Sequence, residues 1–203
     1  MKKSYSNFTF ADLQTLGLSV ANQAIFPETI AVPPSPWLLQ TLAYNRALPV
    51  STEKARSELL IAPIMVELNQ RNPDKITVFS GYPFDIDKKR GLNGFCDYLI
   101  SNKPNAVFVE SPVVAIVEVK RGQDLIDAAP QCIAEMYAAK QFNERHGEAL
   151  PYVYGAVTTG YDWIFLRLDN SHVAIDPDRQ MINALPQLLG VWQTLIDSLP
   201  KHT

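Results

Sequence analysis

A glutamate and a lysine stand where a buried strand would be expected to contain only apolar residues. The run 113–117 consists of five apolar residues, four of them valine or isoleucine, and leads directly into Glu118 and Lys120. A run this short and this β-branched predicts a strand buried on both faces. Strand side chains alternate between faces, so Glu118 and Lys120 lie on the same side. Burying both charges is costly unless they pair or bind a ligand, so we expect the chemistry of the protein at this strand end.

Three more polar side chains stand at defined places in the elements predicted around this strand. Asp97 lies among apolar residues in a strand predicted over 95–100, and Glu58 lies on a helix predicted upstream of it. Gln131 begins the apolar part of the helix predicted after the Glu118 strand. Each residue also has a plainer interpretation. Glu118 and Lys120 can form a surface ion pair, and Glu58 and Gln131 can be solvated helix residues.

The order of helical glutamate, strand aspartate, strand Glu-x-Lys and helical glutamine resembles the PD-(D/E)xK nuclease superfamily. The resemblance covers roughly residues 52 to 168, and Cys96 stands where the motif often has proline. The resemblance implies that Glu58 is an accessory helix acid and that Asp97 and Glu118 are the two motif acids. It also implies that Lys120 is the motif lysine and Gln131 the polar residue of the following helix.

This resemblance implies a metal-dependent nuclease that hydrolyses phosphodiester bonds, with DNA as the expected substrate in restriction, repair or mobile-element biology. Carboxylate oxygens are the ligands that Mg²⁺ prefers, so we expect Asp97, Glu118 and Glu58 to hold Mg²⁺, for which Mn²⁺ can substitute. Lys120 is expected to orient the attacking water or to offset charge on the phosphorus, and Gln131 to serve the same site. A homodimer is expected from the resemblance alone.

Two other classes of function stay open. A non-catalytic nucleic-acid-binding or assembly module would keep the nuclease fold with its acids as remnants, and the net charge of −3 and pI near 5.6 favour it. An enzyme acting on a small phosphorylated or nucleotide substrate would need no extended basic surface. The basic runs 88–90 and 120–121 are both compatible with solvated faces. The intact set of Asp97, Glu118 and Lys120 favours the nuclease.

The pattern of elements predicts an α/β chain of the α+β type, with a restriction-endonuclease-like core in which helices flank a central mixed β-sheet. Helices are predicted over 52–69 with a kink at Pro63, over 124–145 with a break at Pro130, and over 179–199. The predicted strands cover residues 76–79, 82–86, 95–100, 106–109, 113–119, 151–158 and 163–168. Tyr161 and Trp163 lie at a predicted hairpin, where they can stack on a base or, more commonly, pack the sheet edge.

Residues 1–50 are predicted to form an N-terminal helical extension, and residues 51–203 the nuclease-like domain of a single compact unit. No stretch approaches the roughly 20 apolar residues of a membrane span and no secretory signal pattern is visible, so we expect a cytoplasmic protein without a membrane partner. Cys96 and Cys132 show no metal-ligand spacing and are expected to be buried thiols. The three histidines receive no catalytic role.

Overall fold

A computed structural model describes residues 3–122 and 124–200. A mixed eight-stranded sheet flanked by helices forms its centre, which confirms the predicted α+β class. The helices are α1 (Phe10–Thr15), α2 (Pro36–Asn45), α3 (Glu53–Arg56), α4 (Ala62–Arg71), α5 (Leu125–Arg145) and α6 (Leu185–Asp197). The strands are β1 (Ser19–Asn22), β2 (Thr77–Pro83), β3 (Phe95–Ser101), β4 (Val113–Val119), β5 (Tyr152–Thr158), β6 (Asp162–Asp169), β7 (His172–Ile175) and β8 (Gln180–Met181).

The sheet places β4 next to the helix that follows it in the chain. The strand order is β1-β7-β6-β5-β4-β3-β2, with β8 paired to β6. β4 pairs with β5 in parallel and with β3 antiparallel. Parallel neighbours need a crossover connection, and α5 supplies it between β4 and β5. The start of α5 therefore follows closely on the end of β4, where the candidate residues lie.

Two apolar cores cover the two faces of β4, and all seven of its residues are buried, as predicted. Val117 and Val119 face the core that contains α4 and α6, whereas Ile116 faces the core beneath α5. The alternation carries Glu118 to the α5 side of the sheet. A strand enclosed in this way keeps its last side chains in one orientation.

Several predicted elements differ from the structure. No strand forms over 106–109, and β2 is one strand where two were predicted. The last helix begins at Leu185 because Gln180 and Met181 pair with β6. α5 runs unbroken through Pro130, which lies buried near its start, since packing on the sheet outweighs the single hydrogen bond that proline removes.

The distortion predicted around Pro63 takes the form of a π-helical turn over Ser57–Ile61. The amide of Ala62 donates to the carbonyl of Ser57, five residues earlier. Pro63 has no amide hydrogen, so the wider turn accommodates a residue that cannot continue the regular pattern. Glu58 therefore lies in an irregular turn between α3 and α4.

Residues 1–50 also add a strand to the sheet, which was not predicted. β1 pairs in parallel with β7 at the edge of the sheet. Leu13 of α1 is buried in the core beneath α5, and Leu38 of α2 in the core on the other face. A four-residue edge strand with mostly exposed side chains has no hydrophobic alternation, so its pattern gave no signal.

Glu67 attaches the start of α2 to α4, and Glu67→Ala is expected to lower the free energy of unfolding by about 3 kcal/mol. The carboxylate is 3% exposed and accepts bonds from Ser35 N at 2.9 Å, Ser35 Oγ at 2.6 Å and Arg71 Nε at 2.7 Å. The substitution leaves these donors without their acceptor. Urea denaturation measures the effect, and Glu58→Ala, an exposed control, should change stability by less than about 0.5 kcal/mol. Equal effects of the two substitutions would contradict this anchoring role.

Candidate active site

β3 and β4 separate at the end of the sheet that carries the candidate residues. Their antiparallel pairing ends at Tyr98 opposite Val117. Beyond this point β3 stays paired with β2, and β4 stays paired with β5. Asp97 occupies the opening, and its Oδ2 accepts a hydrogen bond from the amide of Val119 at 2.8 Å. One carboxylate oxygen of Asp97 is thus held against the end of β4.

Glu118 and Lys120 form an ion pair beside Asp97. Lys120 Nζ donates to Glu118 Oε1 at 2.6 Å, and Glu118 is only 3% exposed. The second oxygen, Oε2, is buried and has no hydrogen-bond partner among the described residues. A buried carboxylate oxygen without a donor is unfavourable, so Oε2 is available to a proton or to a ligand.

Two residues of α5 extend this network into the protein. Lys120 Nζ also donates to Gln131 Oε1 at 3.1 Å, and Gln131 Nε2 donates to Glu135 Oε1 at 3.1 Å. Glu135 is fully buried, and its Oε2 lacks a partner among the described residues. Glu135 was not among the predicted site residues, although its spacing of four residues from Gln131 puts both on one helix face.

The charges of the site influence one another strongly. Burial raises the pKa of Glu118, the charge of Asp97 raises it further, and Lys120 opposes both effects. Burial also raises the pKa of Asp97, although the bond from Val119 favours its charged form. For Lys120, burial acts to lower the pKa, but the nearby carboxylates, Glu118 first, outweigh it and leave that pKa raised. Acids whose pKa values are raised in this way release their protons more readily when a cation binds beside them, so the group favours a bound cation.

The two acids on the preceding helical segment differ in their relation to this group. Glu58 is exposed and ion-paired with Lys54 at 2.8 Å, and it borders the same cavity of about 360 Å³ as Asp97. Glu53, at the start of α3, borders that cavity too. Its negative charge contributes to the raised pKa of Asp97 and of Glu118. Glu53 therefore acts electrostatically on both Asp97 and Glu118.

The carboxylates fit a hard divalent cation that retains water ligands. No group of three or more His, Cys, Asp or Glu side chains within 3–122 and 124–200 is arranged to hold a metal ion. Mg²⁺, however, commonly takes one or two protein carboxylates and completes its shell with water and substrate oxygens. Asp97 Oδ1 and Glu118 Oε2 are the oxygens that remain after the bonds to Val119 and Lys120. The donor set therefore fits Mg²⁺ or Mn²⁺.

Glu135→Gln is expected to stabilise the protein above pH 7 by more than about 1 kcal/mol. Burial first, and then the charge of Glu118, raise the pKa of Glu135 well above its ordinary 4.5. The folded state therefore holds the proton more tightly than the unfolded state, and the free energy of unfolding falls as pH rises above 4.5. The substitution should reduce that fall while its amide oxygen still accepts from Gln131.

The measurement is denaturant unfolding between pH 5 and 8, with the surface substitution Glu144→Gln as the control. The Glu135→Gln variant and the wild type should differ little near pH 5 and diverge steadily as pH rises. A constant difference across the range would contradict the proposed proton linkage.

No protein-family model matches the chain, and no curated protein is significantly similar to it. Within the described part of the chain, none of the helices combines the length and apolar character needed to cross a membrane.

Proposed function

We propose that this chain is a metal-dependent nuclease that hydrolyses phosphodiester bonds in DNA. The observation that carries the proposal is the convergence of Asp97, Glu118 and Lys120 at the opening between β3 and β4. These residues follow the order of the PD-(D/E)xK motif, and the restriction-endonuclease-like fold belongs to the same proposal. A cluster of perturbed acids beside a charged lysine is typical of catalytic sites.

The residues of the site have separable roles in this reaction. Lewis-acid polarisation of a phosphoryl oxygen is the chemistry that Mg²⁺ supplies when bound, and Asp97 and Glu118 are the residues that would hold it. Lys120 has three N–H donors, two of which bond to Glu118 and Gln131. The third donor is left to orient the attacking water or to stabilise charge that develops on the phosphate.

A basic and aromatic pair beside the opening supports a nucleic-acid substrate. Arg56 donates to the carbonyl of Thr159 at 3.3 Å, and its guanidinium lies 5.5 Å from the ring centre of Tyr161. Thr159 directly follows the end of β5, the strand paired with β4. Guanidinium groups bind phosphates and aromatic rings stack on bases. A homodimer, as expected for such nucleases, is part of the proposal.

Cleavage of mixed nucleic acid by the purified chain tests the proposal. Supercoiled plasmid, linear duplex, single-stranded DNA and RNA are each incubated with Mg²⁺, Mn²⁺ or EDTA, and calorimetry measures divalent binding to the same samples. We expect cleavage of DNA with Mg²⁺ or Mn²⁺ and none with EDTA. A wild-type protein that neither binds divalent ions nor cleaves, even with nucleic acid present, would overturn the proposal.

Comparing Glu53→Gln with Glu58→Gln tests which of the two glutamates is the accessory acid of the site. The sequence motif predicts the larger loss at Glu58, whereas the electrostatic influence on Asp97 and Glu118 predicts it at Glu53. We expect Glu53→Gln to lower the cleavage rate by about tenfold and Glu58→Gln by less than about threefold. Initial rates at saturating Mg²⁺ measure both. A larger effect at Glu58 would restore the motif assignment.

A non-catalytic module of the same fold is the second candidate. The ion pair between Lys120 and Glu118 at 2.6 Å favours it, because the two charges neutralise each other in a site that serves only structure. The net charge of −3 favours it as well, because a nuclease must bind a polyanion. Under this alternative, nucleic acid or a protein partner binds without any cleavage, and Lys120→Met alters stability but no reaction.

A further inference from the structure

A second polar cavity lies at the opposite end of the sheet from the candidate active site. It has a volume of about 250 Å³ and is bordered by Ser19, Arg167, Asp169 and His172, from β1, β6 and β7. Asp169 pairs with the first residue of β5, whereas β5 meets the end of β4 at its last residues. The length of β5 separates the two sites by roughly 20 Å. Strand alternation also places Arg167 on the same face of the sheet as Phe165, which is the face away from α5.

Arg167 borders this cavity, and its guanidinium has an unsatisfied donor. Its Nε is buried and has no hydrogen-bond partner among the described residues. Its guanidinium carbon lies 4.8 Å from the ring centre of Tyr152, which orients the planar group. Arg167 takes part in none of the ion pairs found within 3–122 and 124–200. A positioned guanidinium without an acceptor is suited to binding an oxyanion.

Ser19 and His172 add a further donor in either arrangement of their shared proton. Ser19 Oγ lies 2.6 Å from His172 Nδ1. If the hydroxyl donates to Nδ1, the neutral ring carries its own hydrogen on Nε2 and can donate from there. If Nδ1 donates to the hydroxyl oxygen, the hydroxyl hydrogen can donate to a ligand or to the carbonyl of Ser171, which lies 3.5 Å from Oγ. The pair therefore offers a donor in either arrangement, and in the second arrangement a ligand competes with that carbonyl.

Asp169 restricts which oxyanion the cavity can accept. Its carboxylate borders the cavity and accepts from Asn170 at 3.1 Å. An ionised carboxylate only accepts hydrogen bonds, so it can contact an oxyanion only through a proton that the oxyanion carries. A phosphomonoester, with its second pKa near 6, carries such a proton at mildly acidic pH. A sulfate ion or an internal phosphodiester carries none.

We propose that this cavity binds a phosphomonoester group in its singly protonated form, with Arg167 and the Ser19–His172 pair as donors and Asp169 as the acceptor. The group can belong to a small molecule or to the phosphorylated end of a nucleic acid, because the recognition chemistry is the same. This site is separate from the proposed nuclease centre and does not depend on it.

Calorimetric titration at about pH 6 in EDTA tests the proposal. Phenyl phosphate and sulfate are titrated into the protein in separate experiments. A 5′-phosphorylated oligonucleotide and the same oligonucleotide without phosphate are compared in the same way. The variants are Arg167→Met, Asp169→Asn and His172→Ala, with the exposed Arg46→Met as the matched control. Thermal unfolding checks that each variant is folded. EDTA prevents cleavage, so failure of the nuclease proposal does not affect the result.

We expect the wild type and Arg46→Met to bind phenyl phosphate and to discriminate against sulfate. Arg167→Met should weaken binding by roughly tenfold or more, and Asp169→Asn should reduce the preference over sulfate. Binding of the phosphorylated oligonucleotide alone would identify a nucleic-acid end as the source of the phosphate. Absence of phosphate-dependent binding in the wild type would overturn the proposal, as would unchanged binding in Arg167→Met. If Arg167→Met is unfolded, Asp169→Asn decides in its place, and an unchanged preference of that variant for phenyl phosphate over sulfate would overturn the proposal.

Discussion

Asp97→Asn and Lys120→Met are each expected to lower the rate of metal-dependent cleavage by about 10³-fold or more, without loss of the fold. The amide oxygen introduced by Asp97→Asn can still accept from Val119, but it lacks the charge that favours a divalent ion. Lys120→Met keeps the length of the side chain and removes the donors held by Glu118 and Gln131. Both variants should therefore separate chemistry from structure.

Initial cleavage rates and calorimetric Mg²⁺ binding measure these effects. The matched controls are Asp85→Asn and Lys54→Met. Asp85 forms an ion pair away from the opening, and Lys54 forms one at its exposed rim. The controls should cleave within about twofold of wild type, and Asp97→Asn should also lose divalent binding. Wild-type cleavage by either site variant would show that the residues have been assigned incorrectly.

Gly155→Val is expected to lower the free energy of unfolding by about 3 kcal/mol and to slow cleavage by roughly 10²-fold. Gly155 lies in β5 directly beneath α5. A Cβ atom at this position would lie 2.4 Å from Met136 Sδ and 2.9 Å from Cys132 Sγ. The larger side chain should push α5 away from the sheet. Gln131 would then move away from Lys120, because Gln131 and Cys132 lie in the same turn of α5.

Denaturant unfolding and cleavage rates measure the two parts of this prediction. Adding Met136→Ala creates space for the new side chain, so the double variant should recover much of the lost stability and activity. Met136→Ala alone provides the necessary reference, since it leaves a cavity between α5 and the sheet. A stable Gly155→Val protein with wild-type activity would show that α5 and the sheet do not need this close contact.

Local patterns were sufficient to predict the central part of the site. The apolar run before Glu118 predicted a fully buried strand, and the two-residue alternation of a strand placed Glu118 and Lys120 on one side. The structure joins them by an ion pair and adds Gln131 as a partner of Lys120. The ion pair depends on residues close in sequence and on the regular geometry of one strand, and the bond to Gln131 depends on the short connection from β4 into α5.

Sequence patterns gave no sign of the opening between β3 and β4, where Asp97 takes the place of a ladder partner. The influence of Glu53, the burial of Glu135 and the pairing of β1 with β7 also depend on residues distant in the chain. Strand register, desolvation and charge interactions all arise from packing between elements. The order of residues along the chain sets which chemical groups are available, and packing brings some of them together in one buried site.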